Sequence, residues 1–267
     1  MDRPKNLPDY KSPPLTEVVI GVQFGATKKY SSINSNGVWE LFKAEFPDIQ
    51  EHPQIDPQFE TFGGVGQSGL NFKFGTPPLH NRLWFVSSDE NHLLQFQDDR
   101  FLLNWRSVSG QEIYPRHEAV AQSFYDHFEK LGGYFSSKFD HVLKVTQAEI
   151  SYINIIPVGA LEEVGDWLSF FQVSSIQPEK ISSNFTEVIT DSQNNPVARM
   201  SYELQSAISN DGKKQKALRL VLSYRGAPAG EDIEAVKSFM ASGRKMIVDR
   251  FTELTTREAH KSWERLE

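Results

Sequence analysis

Between residues 16 and 24 the chain alternates. Val18, Ile20, Val22 and Phe24 fall on one side of an extended backbone, and Glu17, Val19, Gly21 and Gln23 fall on the other. Period-two alternation predicts a half-buried β-strand. The period then changes. Val38, Leu41, Phe42 and Phe46 recur at helical spacing behind the capping candidates Ser35 and Asn36, and Pro47 stops the run, so a short helix is expected. Pro53, Pro57, Gly63, Gly64 and Gly66 mark a loop. Strand-like runs follow near 70–74, 82–86, 93–96 and 101–106. They are separated by Thr76-Pro77-Pro78, Ser88-Asp89-Glu90-Asn91 and Asp98-Asp99, which suit turns. Behind Pro115, the spacing of Val120, Phe124, Phe128 and Leu131 predicts an amphipathic helix ended by Gly132-Gly133.

A similar order then returns. Residues 142–156 are alternating and β-branched and predict a long strand. Glu162-Glu163 open an acidic turn leading to Val164, Trp167, Leu168 and Phe171 at helical spacing. Further strands are expected near 185–190, 197–209 and 217–224, with turns at Asn194-Asn195-Pro196 and Asp211-Gly212. In the last and longest helix Glu231, Asp232 and Glu234 sit where the helix dipole favours anions. Its buried stripe is Ile233, Val236, Met240, Ile247, Phe251 and Leu254. The expected fold class is α+β, with two pseudo-repeated units: residues 1–134, opening on an extended arm over 1–14, and residues 135–267. Each unit would be an antiparallel sheet with helices on one face, and the two would be tightly joined. This order resembles the TATA-binding-protein-like and helix-grip folds, a likeness of topology that carries no function.

Composition narrows the classes. The 267 residues include no cysteine, which excludes a disulfide framework, a thiolate nucleophile and Cys-ligated metal. No apolar run reaches about 18 residues. The opening Met1-Asp2-Arg3-Pro4-Lys5 leads into no apolar leader, so no membrane contact and a cytoplasmic address are expected. With 28 basic and 35 acidic side chains the net charge is −7, which disfavours binding to nucleic acid through its phosphates. The local basic group Lys213, Lys214, Lys216 and Arg219 follows Asn210-Asp211-Gly212. It reads either as a phosphate-contacting hairpin tip or, in keeping with the turn signal, as a solvated edge.

Chemical signatures are sparse. Gly-x-Ser-x-Gly, His-Glu-x-x-His, Walker and Rossmann patterns are all missing, so no catalytic residue, metal or cofactor is expected. Gly63 to Gly69 is glycine-rich but precedes no helix that would make it an anion cradle. Arg100, Asn104 and Arg106 share one side of a predicted strand, where guanidinium forks would bind a carboxylate or phosphate. The plainer reading is that these side chains sit on a solvated sheet face or pair with acids such as Asp98 and Asp99. Tyr152 and Asn154 share a face of an isoleucine-rich strand and, if buried, need polar partners, either a ligand or the backbone. Phe251, Leu254, His260 and Trp263 near the end would present an apolar surface to a partner. His260 lies four residues before Glu264, at hydrogen-bonding distance on a helix.

Three segments carry a resemblance: Pro13-Pro14-Leu15-Thr16-Glu17-Val18-Val19; Leu94 to Arg106, through Asp98-Asp99-Arg100-Phe101 and Asn104-Trp105-Arg106, followed by Tyr114-Pro115-Arg116; and Phe251 to Trp263, through Leu254-Thr255-Thr256-Arg257-Glu258-Ala259-His260. Together they are similar to a sporadically distributed, uncharacterised bacterial protein family of about this length. The resemblance implies one whole protein and transfers no activity or catalytic residue. The expected function is therefore a non-enzymatic protein-interaction module of a bacterial cytosolic system, with a protein partner encoded nearby; homo-oligomerisation stays open. The alternative is a small anionic-ligand-binding or hydrolytic protein with its site between sheet and helix, built from Arg100, Asn104, Arg106, Tyr152 and Asn154. A sheet saddle for nucleic acid is third.

Overall fold

The computed structural model describes residues 7–62, 81–172, 176–208 and 215–266. The strand expected near 70–74, the break at 76–78, the glycine-rich stretch and the 210–212 turn with Lys213 and Lys214 lie outside them. In chain order the first elements are β1 (Asp9–Tyr10), β2 (Leu15–Phe24), α1 (Ser35–Phe42), β3 (Asp48–His52) and β4 (Arg82–Val86). Then come β5 (His92–Gln97), β6 (Arg100–Arg106), α2 (His117–Phe139), β7 (Val145–Pro157) and α3 (Val164–Trp167). The chain continues through β8 (Ser182–Thr190), β9 (Pro196–Ile208) and β10 (Lys216–Gly226). It ends with α4 (Ile233–Leu254), α5 (Arg257–Ser262) and β11 (Arg265–Leu266).

The architecture is mixed α+β. Nine strands form one antiparallel sheet in the order β3-β4-β5-β6-β2-β7-β10-β9-β8, and β1 pairs with β11 in a separate ribbon. Alternation explains the sheet. The register sets Ile20 abreast of Leu103 on β6 and Ile150 on β7, all three completely buried. Phe124, Leu131 and Phe135 of α2 and Val236, Met240 and Ile247 of α4 bury against the same core. Each such side chain contributes about 1.5–3 kcal/mol. At Gly243 α4 lies directly on the sheet: a Cβ there would stand 2.6 Å from Tyr224 Cδ1 and 2.7 Å from Ile150 Cγ2.

Several expectations change. Helix α2 does not end at Gly132-Gly133 but runs to Phe139, where Asp140 adopts φ 48° as its left-handed cap. Two helical glycines cost about 1 kcal/mol each. Burying Phe135 and Phe139 on the next turns outweighs that. Strand β3 stands where a loop was expected; its residues are mostly exposed and it pairs only with β4, so it lacks alternation. Helix α3 is a single turn, and Leu168 instead bridges to Thr255. The terminal helix breaks at Thr255–Thr256, where the Thr256 hydroxyl accepts the Ala259 N–H and starts α5. Of the basic group, Lys216 opens β10 and Arg219 faces Glu203 at 3.7 Å.

The sheet face opposite the helices is crossed by residues 53–62. A row of buried side chains lies abreast on β5, β6, β2 and β7: Gln97, Arg100, Gln23 and Gln147. Gln97 accepts the Ile55 N–H at 2.9 Å and donates to the Ile55 carbonyl at 2.9 Å. Gln23 does the same for Gln58, at 2.9 and 2.6 Å, and Gln147 accepts the Glu60 N–H. The Glu60 carboxylate then meets Arg199 on β9 at 2.5 Å and Arg225 on β10 at 3.8 Å. This strap therefore spans both halves of the chain.

Candidate functional site

The five ligand candidates do not come together. Arg100, Asn104 and Arg106 lie on the strap side of β6, whereas Tyr152 and Asn154 lie on the helix side of β7. The polar strand is also satisfied from within. Arg100 donates to Gln23 Oε1 at 3.0 Å and to the Asp56 carbonyl at 2.9 Å, with Asp99 beside its Nε. Asn104 donates to Glu17 at 2.6 Å and accepts from Gln95, which in turn accepts from Arg82. Arg106 donates to the Glu90 carbonyl at 2.8 Å. This face is a polar ladder that ties strands together.

The four partner candidates are folded inward. Phe251 and Trp263 are buried and stack at 5.3 Å, and Trp263 also stacks on Trp167 at 5.9 Å. Tyr10 of β1 packs edge-on against both and tilts onto His260. Leu254 is half-buried against the same core. Break and arm together remove the expected apolar surface. The expected His260–Glu264 bond does not form, because Glu264 leaves the helix at φ 51° and pairs with Lys11 at 2.8 Å. His260 Nε2 instead donates to Thr255 Oγ1 at 2.8 Å, whose hydroxyl is used on the Phe251 carbonyl, and Nδ1 accepts from Arg265. Burial, with Arg265 next to it, pushes the His260 pKa down.

Tyr152 and Asn154 open onto a cleft between β7, α4 and the N-terminal arm. Its cavity volume is about 70 Å³. One end is polar. The Tyr114 and Tyr152 hydroxyls lie 3.3 Å apart, and Tyr152 lies 3.4 Å from His117 Nδ1. Arg244, pointing from α4, donates to Glu118 at the start of α2. Arg116 donates to Asp9 Oδ1 of the arm at 2.8 Å. The other end is apolar, formed by Tyr10, Leu15, Ile247, Val248 and Phe251.

Electrostatics sets what this cluster can do. Burial raises the pKa of both tyrosines and, with Arg244 nearby, lowers that of His117 to about 3. Burial also works to raise Glu118, but its backbone bond and Arg244 outweigh this and keep it an anion. Near neutral pH the cleft thus presents two hydroxyls and two guanidiniums, with the neutral His117 imidazole and the Glu118 carboxylate behind its wall. The shifts of Tyr114, Tyr152, His117 and Glu118 all run away from neutral pH. Donors, however, exceed acceptors. Each guanidinium carries five N–H groups and gives one to its carboxylate in these pairs, and the buried Arg244 Nε has no acceptor. Arg116 holds φ 74° and ψ 154° immediately before α2, a conformation costing a non-glycine residue about 1–3 kcal/mol and one that clusters at binding sites.

A second constellation looks like hydrolytic chemistry and is not. Ser123 Oγ lies 3.3 Å from His127 Nδ1, and His127 Nε2 lies 3.3 Å from Glu45. Nδ1 is also 2.5 Å from the Ser123 carbonyl, an acceptor, so it carries a proton and cannot take one from the serine. Among the described residues no group of three or more acidic or histidine side chains could hold a metal, and no helix is long and apolar enough to cross a membrane.

Sequence reasoning reached Tyr152 and Asn154 because polar residues interrupt an apolar strand. Arg244 left a weaker signal, a cation at a core position of the α4 stripe. Tyr114 and Arg116 stood in a family-like segment that carried no role, and His117 and Asp9 left no sign of a shared site, since all four meet only through the fold. Compared with protein-family models and with curated proteins, the chain finds no match.

Proposed function

We propose that the protein is a non-enzymatic binding protein that takes up a small anionic molecule in the cleft between β7 and α4. The observation that carries this reading is the pair of guanidiniums, Arg116 and Arg244, that line the cleft beside the Tyr114 and Tyr152 hydroxyls. A guanidinium fork matches the oxygens of a carboxylate or phosphate, which such a ligand would supply. The apolar end favours a ligand with a short hydrocarbon tail. Thermal unfolding with hexanoate, inorganic phosphate and hexanamide tests it. Hexanoate at a hundred times its dissociation constant would add about 2.7 kcal/mol of stability. Hexanamide would add little, and Arg244→Gln would remove the hexanoate effect. The absence of a shift with either anion overturns the reading.

The fold reading that accompanies this proposal is a duplication resembling the TATA-binding-protein-like and helix-grip topologies. Its support is the strand order. In each half the first strand, β2 or β7, lies at the centre of the sheet, and a meander returns from the outer edge to pair with it before a long helix. The cleft then draws on both units.

A second reading, docking of a protein or a second copy, is favoured by β8. This nine-residue edge strand exposes Ser182, Asn184, Thr186 and Val188 and carries neither lysine nor proline, the residues that usually blunt an edge. Light scattering of the protein and of Thr186→Lys would test it; a monomer in both cases removes self-pairing.

A further inference from the structure

We infer that Asp9 is a built-in competitor for the cleft: its carboxylate occupies Arg116 where the anionic group of an amphipathic monocarboxylate binds. This rests on the ligand-binding reading above and goes on to name the ligand's class and what it must displace.

The arm presents Asp9 and Tyr10 together. Asp9 Oδ1 accepts from Arg116 Nη1 and from its own neighbour's N–H, at 2.8 and 2.9 Å. Tyr10 lines the apolar end, its hydroxyl on Thr252 at 2.9 Å. A carboxylate with an adjacent apolar group is thus already seated in the cleft, supplied by the chain itself. The Arg116 side chain remains 46% exposed, so its guanidinium is open to solvent on one side, while the Asp9 side chain is 16% exposed. A free carboxylate that reaches the open side of Arg116 competes with Asp9 for it, while Arg244 and the tyrosine hydroxyls supply donors that Asp9 does not use. The strained backbone of Arg116 holds its guanidinium at the mouth for whichever acid is present. Losing Asp9 loosens the arm, whose Lys11 and Ser12 N–H groups bond to the Glu264 and Trp263 carbonyls at 3.1 and 3.2 Å.

Calorimetric titration of the full chain with hexanoate, for the unaltered protein and for Asp9→Asn, is the test. Asparagine retains the oxygen that accepts the Tyr10 N–H and removes the competing charge, so hexanoate is expected to bind about fivefold more tightly. Removing a nearby negative charge alone would also favour an anion. Hydrogen exchange at Lys11 and Ser12 in the unaltered protein is therefore measured beside it, and saturating hexanoate is expected to speed both severalfold. This measurement stands alone should Asp9→Asn release the arm outright. Unchanged affinity in the variant, or exchange that slows or stays constant, overturns the competitor role and leaves the cleft as a binding site. Failure of hexanoate to bind either protein removes the binding site and the competitor with it.

Discussion

At the scale of single residues, burial decides the behaviour of His117. Its folded pKa of about 3 lies below the unfolded value near 6.5, so the unfolded chain binds the proton more readily. Stability is therefore full above about pH 6.5 and falls as the pH drops through the window between 6.5 and 3. One such group contributes up to about 1.4 kcal/mol per pH unit. Urea unfolding at pH 7 and pH 4.5 should differ by about 2–3 kcal/mol from this source, and His117→Asn should flatten that difference. His260, shifted the same way, adds to the slope. Gly243 offers a second test. Alanine would gain about 1 kcal/mol in helix propensity, but its methyl would collide with the Tyr224 and Ile150 side chains. Overpacking of this kind costs about 1–3 kcal/mol, so Gly243→Ala should lower the denaturant midpoint.

At the scale of elements, the strap makes a contrast that separates backbone from side-chain recognition. Gln23 binds both polar groups of the Gln58 backbone, whereas the Gln58 side chain is exposed. Gln23→Ala should thus cost about 1–3 kcal/mol by orphaning those groups and one bond of Arg100. Gln58→Ala should stay within about 0.5 kcal/mol, which chemical denaturation can resolve. The strap also marks how far the chain can be read in advance. Strands β2, β6 and β7 were legible because one face is buried and the other polar, so the alternation survives in the sequence. Strand β3 was not, because an edge strand exposed on both sides has no pattern to write. Gly132-Gly133 misled because local propensity yields to two buried phenylalanines. The candidate site was half legible for the same reason. Tyr152 and Asn154 break a pattern, while Asp9, Tyr114 and Arg116 stand in irregular segments whose meeting is purely tertiary.

At the scale of the whole molecule, the two halves share one sheet, and their separation would be severe. Strands β2 and β7 pair along most of their length, with Val18, Ile20 and Val22 abreast of Tyr152, Ile150 and Ala148. Three further ties cross the same boundary. Glu60 of the strap reaches Arg199 and Arg225, β1 pairs with β11, and the Pro14 carbonyl accepts the Ile155 N–H. Cutting between α2 and β7 would leave two central strands as exposed apolar edges, the arrangement most prone to aggregate. It would also orphan the buried glutamines that hold the strap. Residues 1–142 and 143–267, expressed separately, should each lack cooperative unfolding by circular dichroism, and mixing them during refolding should restore it. The cleft gives a sharper readout than the fold. Asp9, Tyr114 and Arg116 come from the first half, Tyr152 and Arg244 from the second. Hexanoate should therefore bind only the reconstituted pair, and a half that folded and bound it alone would contradict a site built across the central strands.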